Sequence, residues 1–214
     1  MEFITIIQIS ILIFSVILHE LGHGYAALAL GDHTAKQQNR LSLNPIQHID
    51  PFFTIIMPTI LIFMNLPPIG GAKPVPVNPT YFKYTSPRRG MLLVAAAGPL
   101  VNFGICLITW CAMHVGGLFH HDIVKVGLFF GLFYNGLLMS FNLLPIPPLD
   151  GSKILIGLLP QKQAFKFMAF ERFGLFALII LVIMGALLPL VSFIHNVSLD
   201  LLPSNYFTMV PPDN

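Results

Sequence analysis

The sequence predicts an all-α polytopic membrane protein with about four full transmembrane helices. A short re-entrant or fifth hydrophobic segment and a small extended element beside a polar centre complete the expectation. Three observations predict this class. Of 214 residues, 55% are hydrophobic and only 9% are charged, against about 25% charged in a soluble domain. Four apolar stretches are long enough to cross roughly 30 Å of hydrocarbon. Proline and glycine cluster between those stretches rather than throughout the chain. The composition excludes a cytosolic enzyme, a disordered tail and a secreted disulfide scaffold. A net charge of +2 with no basic run excludes a nucleic-acid partner. Cys106 and Cys111 both lie in an apolar stretch and, five positions apart on a helix, face different ways.

The first apolar stretch covers residues 3–30. Ala27-Leu28-Ala29 resembles a cleavage site, but Glu2 stands where a signal peptide would be positive, and no Lys or Arg precedes Lys36. The stretch is therefore expected to be a retained helix. Residues 52–66 are shorter and carry Pro58. As a helix they would reach only about 22 Å, so they form either a short span or a hairpin that re-enters. Residues 91–115, 126–144 and 173–194 supply the other full spans. Residues 73–78 alternate proline and valine and are expected to be extended. Phe165, Lys166, Phe167 and Phe170 beside Lys162 and Arg172 predict an amphipathic stretch at the membrane interface. No internal repeat is visible, and no room remains for an appended soluble domain.

The chemistry concentrates in the first helix, at His19-Glu20-Leu21-Gly22-His23. Residues four apart share a helix face, so both imidazoles can bind one metal ion, with Glu20 beside them as a base towards water. His19 lies about 24 Å along the helix from Phe3, still within the hydrocarbon. Two histidines and a glutamate at that depth are costly unless paired, metal-bound or facing water. A polar patch for packing or ion passage is the bland alternative. Catalytic zinc usually has three protein ligands, so a third must come from elsewhere. Asp150 in Asn142-Leu143-Leu144-Pro145-Ile146-Pro147-Pro148-Leu149-Asp150-Gly151 is the best candidate. The prolines there forbid a continuous helix. Asp150 equally reads as the N-cap of a following helix, or as cap and ligand at once. Asn102 and Asn135, polar residues within spans, read mainly as helix-packing contacts, with bonds across helices that support the site as the alternative. His48 and Asp50 read as interfacial loop residues, and His33, His114, His120, His121 and His195 show no ligand spacing with the pair.

The HExxH helix together with the Asn142-to-Gly151 segment resembles the site-2 protease family of intramembrane zinc metalloproteases. Gly98-Pro99-Leu100-Val101-Asn102 and Arg40-Leu41-Ser42-Leu43-Asn44-Pro45 fit the same family, and the resemblance runs over residues 18–155. It implies one Zn2+ per chain held by His19, His23 and Asp150, with Glu20 as catalytic base and Asn142 steadying the oxyanion. It implies a single protease domain over residues 1–214 without PDZ or CBS modules. It also implies a substrate that is a transmembrane segment of another membrane protein, locally unwound within the lipid bilayer. Residues 73–78 would lie beside the site and either pair with such a segment or form an ordinary proline-rich loop. A transporter with intramembrane His and Asp is the rival class, but it would more often show internal repeats.

Charge tests the topology. His23 and Asp150 must meet at one depth, which requires the ends of the first helix and of the 126–144 helix to emerge on the same side. If residues 52–66 re-enter, ten of the eleven Lys and Arg residues lie on one side and only Lys125 on the other. If they cross fully, the split is eight to three. The positive-inside rule favours re-entry, with the N-terminus outside and the site facing the cytosol of a plasma or inner membrane.

Overall fold

The computed structural model describes residues 2–56, 59–60, 63, 71–114, 122–203 and 206, and among these every regular element is helical. The long helices are α1 (Glu2–Ala29), α3 (Pro87–His114) and α4 (Asp122–Asn142). Each is long and apolar enough to cross a membrane. A four-residue helix, α2 (Thr34–Gln37), follows α1. Helices α5 (Asp150–Leu158), α6 (Gln161–Ala169), α7 (Glu171–Ile183) and α8 (Leu188–Asp200) complete the chain.

α1, α3 and α4 pack against one another, α5 packs on α3, and α8 packs on α4. The bundle is polar within and apolar without. Ser15, His19, His23, Asn102, Thr109 and Asn135 are buried, while Phe3, Ile6, Phe14, Leu100, Ile108 and Phe176 are exposed. Such a surface would be a liability in water and is the expected one in lipid. Close packing needs small residues. A Cβ on Gly22 would lie 2.8 Å from Val101 Cγ2 and 3.0 Å from the Ala97 carbonyl oxygen, so that glycine lets α1 and α3 approach.

The structure corrects two expectations. The span expected over 173–194 is not one straight helix. α7 and α8 meet at a bend of 70°. Gly185 takes the left-handed conformation at φ +69, and proline stands in the first turn of α8, so one helix ends and another begins. Three helices, or up to four if the bent pair counts as one span, can therefore cross. The expected extended element is also not supported, since residues 73–78 form no ladder. Pro74 and Pro76 have no N–H to give, and three of the four remaining donors go to separate acceptors. Lys73 N–H donates to the His48 carbonyl (2.8 Å), Val75 N–H to Glu20 Oε2 (2.8 Å) and Asn78 N–H to Asp32 Oδ2 (2.6 Å).

The expected segment 52–66 is described only in part. Pro51–Ile56 forms a π-helical turn, and residues 57–58, 61–62 and 64–70 lie outside the described residues, as do His120 and His121. The flanks of this segment are joined. Thr54 Oγ1 donates to the Gly71 carbonyl (2.7 Å), close to the bond from Lys73 to His48. Further out, Lys83 N–H donates to the Leu30 carbonyl (2.9 Å). The chain thus leaves the C-terminal end of α1 and returns to it before α3 begins.

Candidate active site

The HExxH pair sits on the face of α1 that meets α3. Gly98 of α3 lies directly against the imidazoles, since a Cβ there would stand 2.5 Å from His23 Cε1 and 2.6 Å from His19 Cε1. Only a glycine lets the α3 backbone form this floor. Asp150 arrives from the other end of the chain. α4 stops at Asn142, and the proline-rich turn brings the Leu143 carbonyl within 2.2 Å of where a Gly151 Cβ would be, so that loop folds tightly over the start of α5. Arg88 Nε donates to the Ile156 carbonyl (2.8 Å) near the end of α5, which ties the helix carrying Asp150 to α3.

Three ligand atoms converge. His19 Nε2 and Asp150 Oδ2 are 3.1 Å apart, His23 Nε2 and Asp150 Oδ2 are 3.1 Å apart, and the two Nε2 atoms are 3.0 Å apart. All three residues are buried. Atoms held 2.0–2.1 Å from one tetrahedral zinc would be separated by about 3.3 Å, so the triangle is close to the required size. The far side of each ring is engaged. His23 Nδ1 donates to the Val94 carbonyl (2.7 Å), and His19 Nδ1 lies 2.6 Å from Asn102 Oδ1. With a proton on each Nδ1, both neutral rings turn an Nε2 lone pair towards the carboxylate. Two lone pairs and a carboxylate oxygen at hydrogen-bond distance need a cation between them, and a metal ion fits that donor set.

The N-cap reading of Asp150 is not what its side chain does. Leu149 occupies the cap and makes no side-chain capping bond, and Asp150 opens the first turn. Its Oδ2 faces both histidines, and its Oδ1 lies 3.4 Å from Lys153 Nζ. Burial alone pushes this carboxyl up. With a proton in place of a metal among the three groups, hydrogen bonding with His19 and His23, together with the positive charge this gives His23 and that of Lys153, overcomes this and holds it well below the usual carboxylate range. Asp150 enters the site as an anion.

Glu20 is half-buried beside the pair, its Oε2 accepting from Val75 N–H (2.8 Å). Asn142 does not join the cluster. Its Nδ2 donates to the Leu138 carbonyl (3.0 Å) within its own helix, and among the described residues no hydrogen bond links it to His19, Glu20, His23 or Asp150. His48 is likewise elsewhere, with Nε2 2.8 Å from the Ser42 carbonyl oxygen. Asn102, expected mainly as a packing residue, lies against His19 of the cluster, as the alternative reading had it.

The sequence reading passed over three contributors. Asp32 is fully buried and accepts from Thr34 N–H (2.9 Å), Thr34 Oγ1 (2.5 Å) and Asn78 N–H. The Asp-x-Thr spacing before a helix was a legible local signal for part of this. Lys153, three residues after Asp150 on one helix, was legible as an ion pair. Val75 acts through its backbone and left no side-chain signal.

A helix-borne imidazole pair joined by a distant carboxylate, inside a bundle of lipid-facing helices, defines a membrane-embedded metal centre. Relatives agree with that class. The chain is 41% identical over 79% of its length to "Putative zinc metalloprotease YwhC" of Bacillus subtilis, covering 77% of that protein. It is 33% identical over 64% of its length to "Putative zinc metalloprotease Rip2" of Mycobacterium tuberculosis, covering 51% of it. It is 30% identical over 72% of its length to "Zinc metalloprotease MJ0392" of Methanocaldococcus jannaschii, covering 35% of it. No family model matches the chain, and no solved structure matches it either. The chain belongs to the site-2 protease family of zinc metalloproteases. It is an integral membrane protein whose cofactor is Zn2+.

Proposed function

We propose that this protein is an intramembrane zinc endopeptidase cutting peptide bonds in or near transmembrane segments of other membrane proteins, as in regulated intramembrane proteolysis. The observation that carries the reading is the convergence of His19 Nε2, His23 Nε2 and Asp150 Oδ2 within 3.0–3.1 Å of one another inside an apolar bundle. These three residues would hold the zinc, one per chain, and zinc bound there would acidify a water and polarise the scissile carbonyl. Glu20 takes the proton from that water and passes it to the leaving amine. Its bond from Val75 N–H keeps one carboxylate oxygen in place beside the site. Asn142 steadies the oxyanion. The Leu138 carbonyl takes only one of its two amide hydrogens, which leaves the second for the substrate. A helical substrate hides its carbonyls in its own hydrogen bonds, so it must unwind locally before attack, and residues 73–78 lie beside the site where it would do so. Residues 1–214 act as one protease domain with its core at 18–155.

Re-entry of residues 52–66 belongs to the same reading. A straight crossing would place the ends of that segment about 22 Å apart, whereas Thr54 bonds directly to Gly71. With the charge asymmetry, this supports a site on the cytosolic side of a plasma or inner membrane.

The test is Glu20→Gln in purified protein reconstituted with a membrane-protein reporter. The variant is expected to retain one zinc per chain and lose cleavage. Cleavage at the wild-type rate would remove Glu20 from its role, and failure of the wild type to bind zinc would remove the reading.

A further inference from the structure

One imidazole of the pair is oriented by a backbone carbonyl directly, and the other through two buried amides. Asn102 and Asn135 are 0% and 1% exposed. Asn102 Oδ1 lies 2.6 Å from His19 Nδ1, and its Nδ2 donates to Asn135 Oδ1 (2.8 Å). Asn135 Nδ2 donates to Ser15 Oγ (2.9 Å) and to the Gly131 carbonyl (2.8 Å). The chain of bonds thus runs from α1 through α3 to α4 and back to α1.

Its polarity follows from one atom. The Gly131 carbonyl can only accept, so it must face the NH2 group of Asn135. Asn135 then turns its oxygen to Asn102, which must answer with its own NH2 group. Asn102 is left presenting oxygen to His19, and an oxygen there requires a proton on Nδ1. A neutral imidazole protonated at Nδ1 has its lone pair on Nε2, the atom that faces Asp150 and His23. Were Asn102 reversed, its NH2 group would draw the lone pair to Nδ1. His19 Nε2 would then carry hydrogen towards the metal position.

We propose that Asn102 is a positioning residue for the metal centre, holding His19 in its metal-binding tautomer, and that Asn135, anchored on the Gly131 carbonyl and Ser15, sets the direction of Asn102. This rests on the zinc reading above. Partners of this kind behind a ligand histidine change metal affinity by about 10–100-fold when removed.

The experiment is a competitive chelator titration of zinc on the full-length purified protein. Wild type is compared with Asn102→Leu, which cannot accept from Nδ1, with Asn102→Asp, which can only accept, and with Asn135→Leu, which frees Asn102 to reverse. Asn102→Leu is expected to weaken zinc binding about 10–100-fold at unchanged helix content, and Asn135→Leu to weaken it less, as is Asn102→Asp, which keeps an oxygen for Nδ1 but sets another against Asn135 Oδ1. Wild-type affinity in Asn102→Leu, or equal loss in the Leu and Asp variants, overturns the proposal. Zinc-loaded wild type labelled with 15N-histidine provides a measurement that needs no variant. Two rings metallated at Nε2 and protonated at Nδ1 are expected, and a ring metallated at Nδ1 overturns the assignment. A wild type that binds no zinc fails at the earlier step and is told apart by that result alone.

Discussion

Gly98 is the residue on which the ligand geometry depends most closely. Its missing side chain is the space that the two imidazoles occupy. In Gly98→Ala the new methyl would stand about 2.5 Å from ring atoms of His23, well inside van der Waals contact. Overpacking of this kind costs about 1–3 kcal/mol, and the rings can relieve it only by swinging off the axis they share with Asp150. The variant is expected to fold with normal helix content by circular dichroism and to lose at least tenfold in zinc affinity by chelator competition. Unchanged affinity would mean that the rings have slack the packing does not show. Glu20 is the complementary case, because its loss should leave the metal in place and remove only the chemistry. The i, i+4 histidines and the glutamate between them were legible because an α-helix places such residues together whatever surrounds it. Gly98 was legible only as part of a motif, since nothing local says which glycine will meet a ring.

At the scale of elements, the described residues between Gly31 and Lys83 are tied to the end of α1 by a set of polar bonds. Gly31 turns the chain at φ +102, and Asp32 gathers Thr34 and Asn78. Arg40 Nη2 donates to the Lys73 carbonyl (2.8 Å). These clamps set the position of Val75, whose N–H holds Glu20. Asp32→Ala removes a buried carboxylate that accepts three hydrogen bonds. Its loss is expected to cost about 3 kcal/mol, read as a lower thermal midpoint in detergent. Faster amide exchange should appear at Val75 and Asn78 while α3 stays protected. Protection unchanged at those amides would show that the prolines alone hold the segment. That this segment stays out of a helix was legible from its Pro-Val alternation. Its lack of a strand partner was not, because hydrogen-bond partners of a loop are chosen by whatever packs beside it. The same holds for α7 and α8. An apolar run of adequate length reads as a span, but Gly185 and the proline after it divide the run.

For the whole molecule, the proposed zinc site joins the first helix to a distant one. Asp150 Oδ2 reaches a histidine 131 positions away, so metal held there would couple α1 to α5. A ligand that binds only the folded state adds about 4 kcal/mol at a concentration a thousandfold above its dissociation constant. Zinc is expected to raise the thermal midpoint of the wild type and to leave that of Asp150→Ala unmoved, with metal content falling in parallel. Equal zinc in both proteins would remove Asp150 from the ligand set. The same joint constrains the topology. In a chain carrying Cys106→Ala and Cys111→Ala, single cysteines at Lys36→Cys and Lys73→Cys are expected to react with an impermeant reagent from the same side of the membrane. Labelling from opposite sides would show that residues 52–66 cross.

By itself the sequence determined what depends on neighbours along the chain. This includes the apolar length of the spans, the shared helix face of His19 and His23, the charge asymmetry, and the break in helix that frees Asp150. Only the tertiary structure decided which carboxylate oxygen meets the imidazoles, that Asp150 faces them rather than capping its helix, and that Asn102 stands behind His19 rather than only between helices. It also showed Asn142 bonded within its own helix. The physical reason is range. A helix repeats every 3.6 residues, so its faces can be read locally. The polarity that reaches His19 on α1 is set by the Gly131 carbonyl on α4, through amides of two other residues, and no local pattern encodes that.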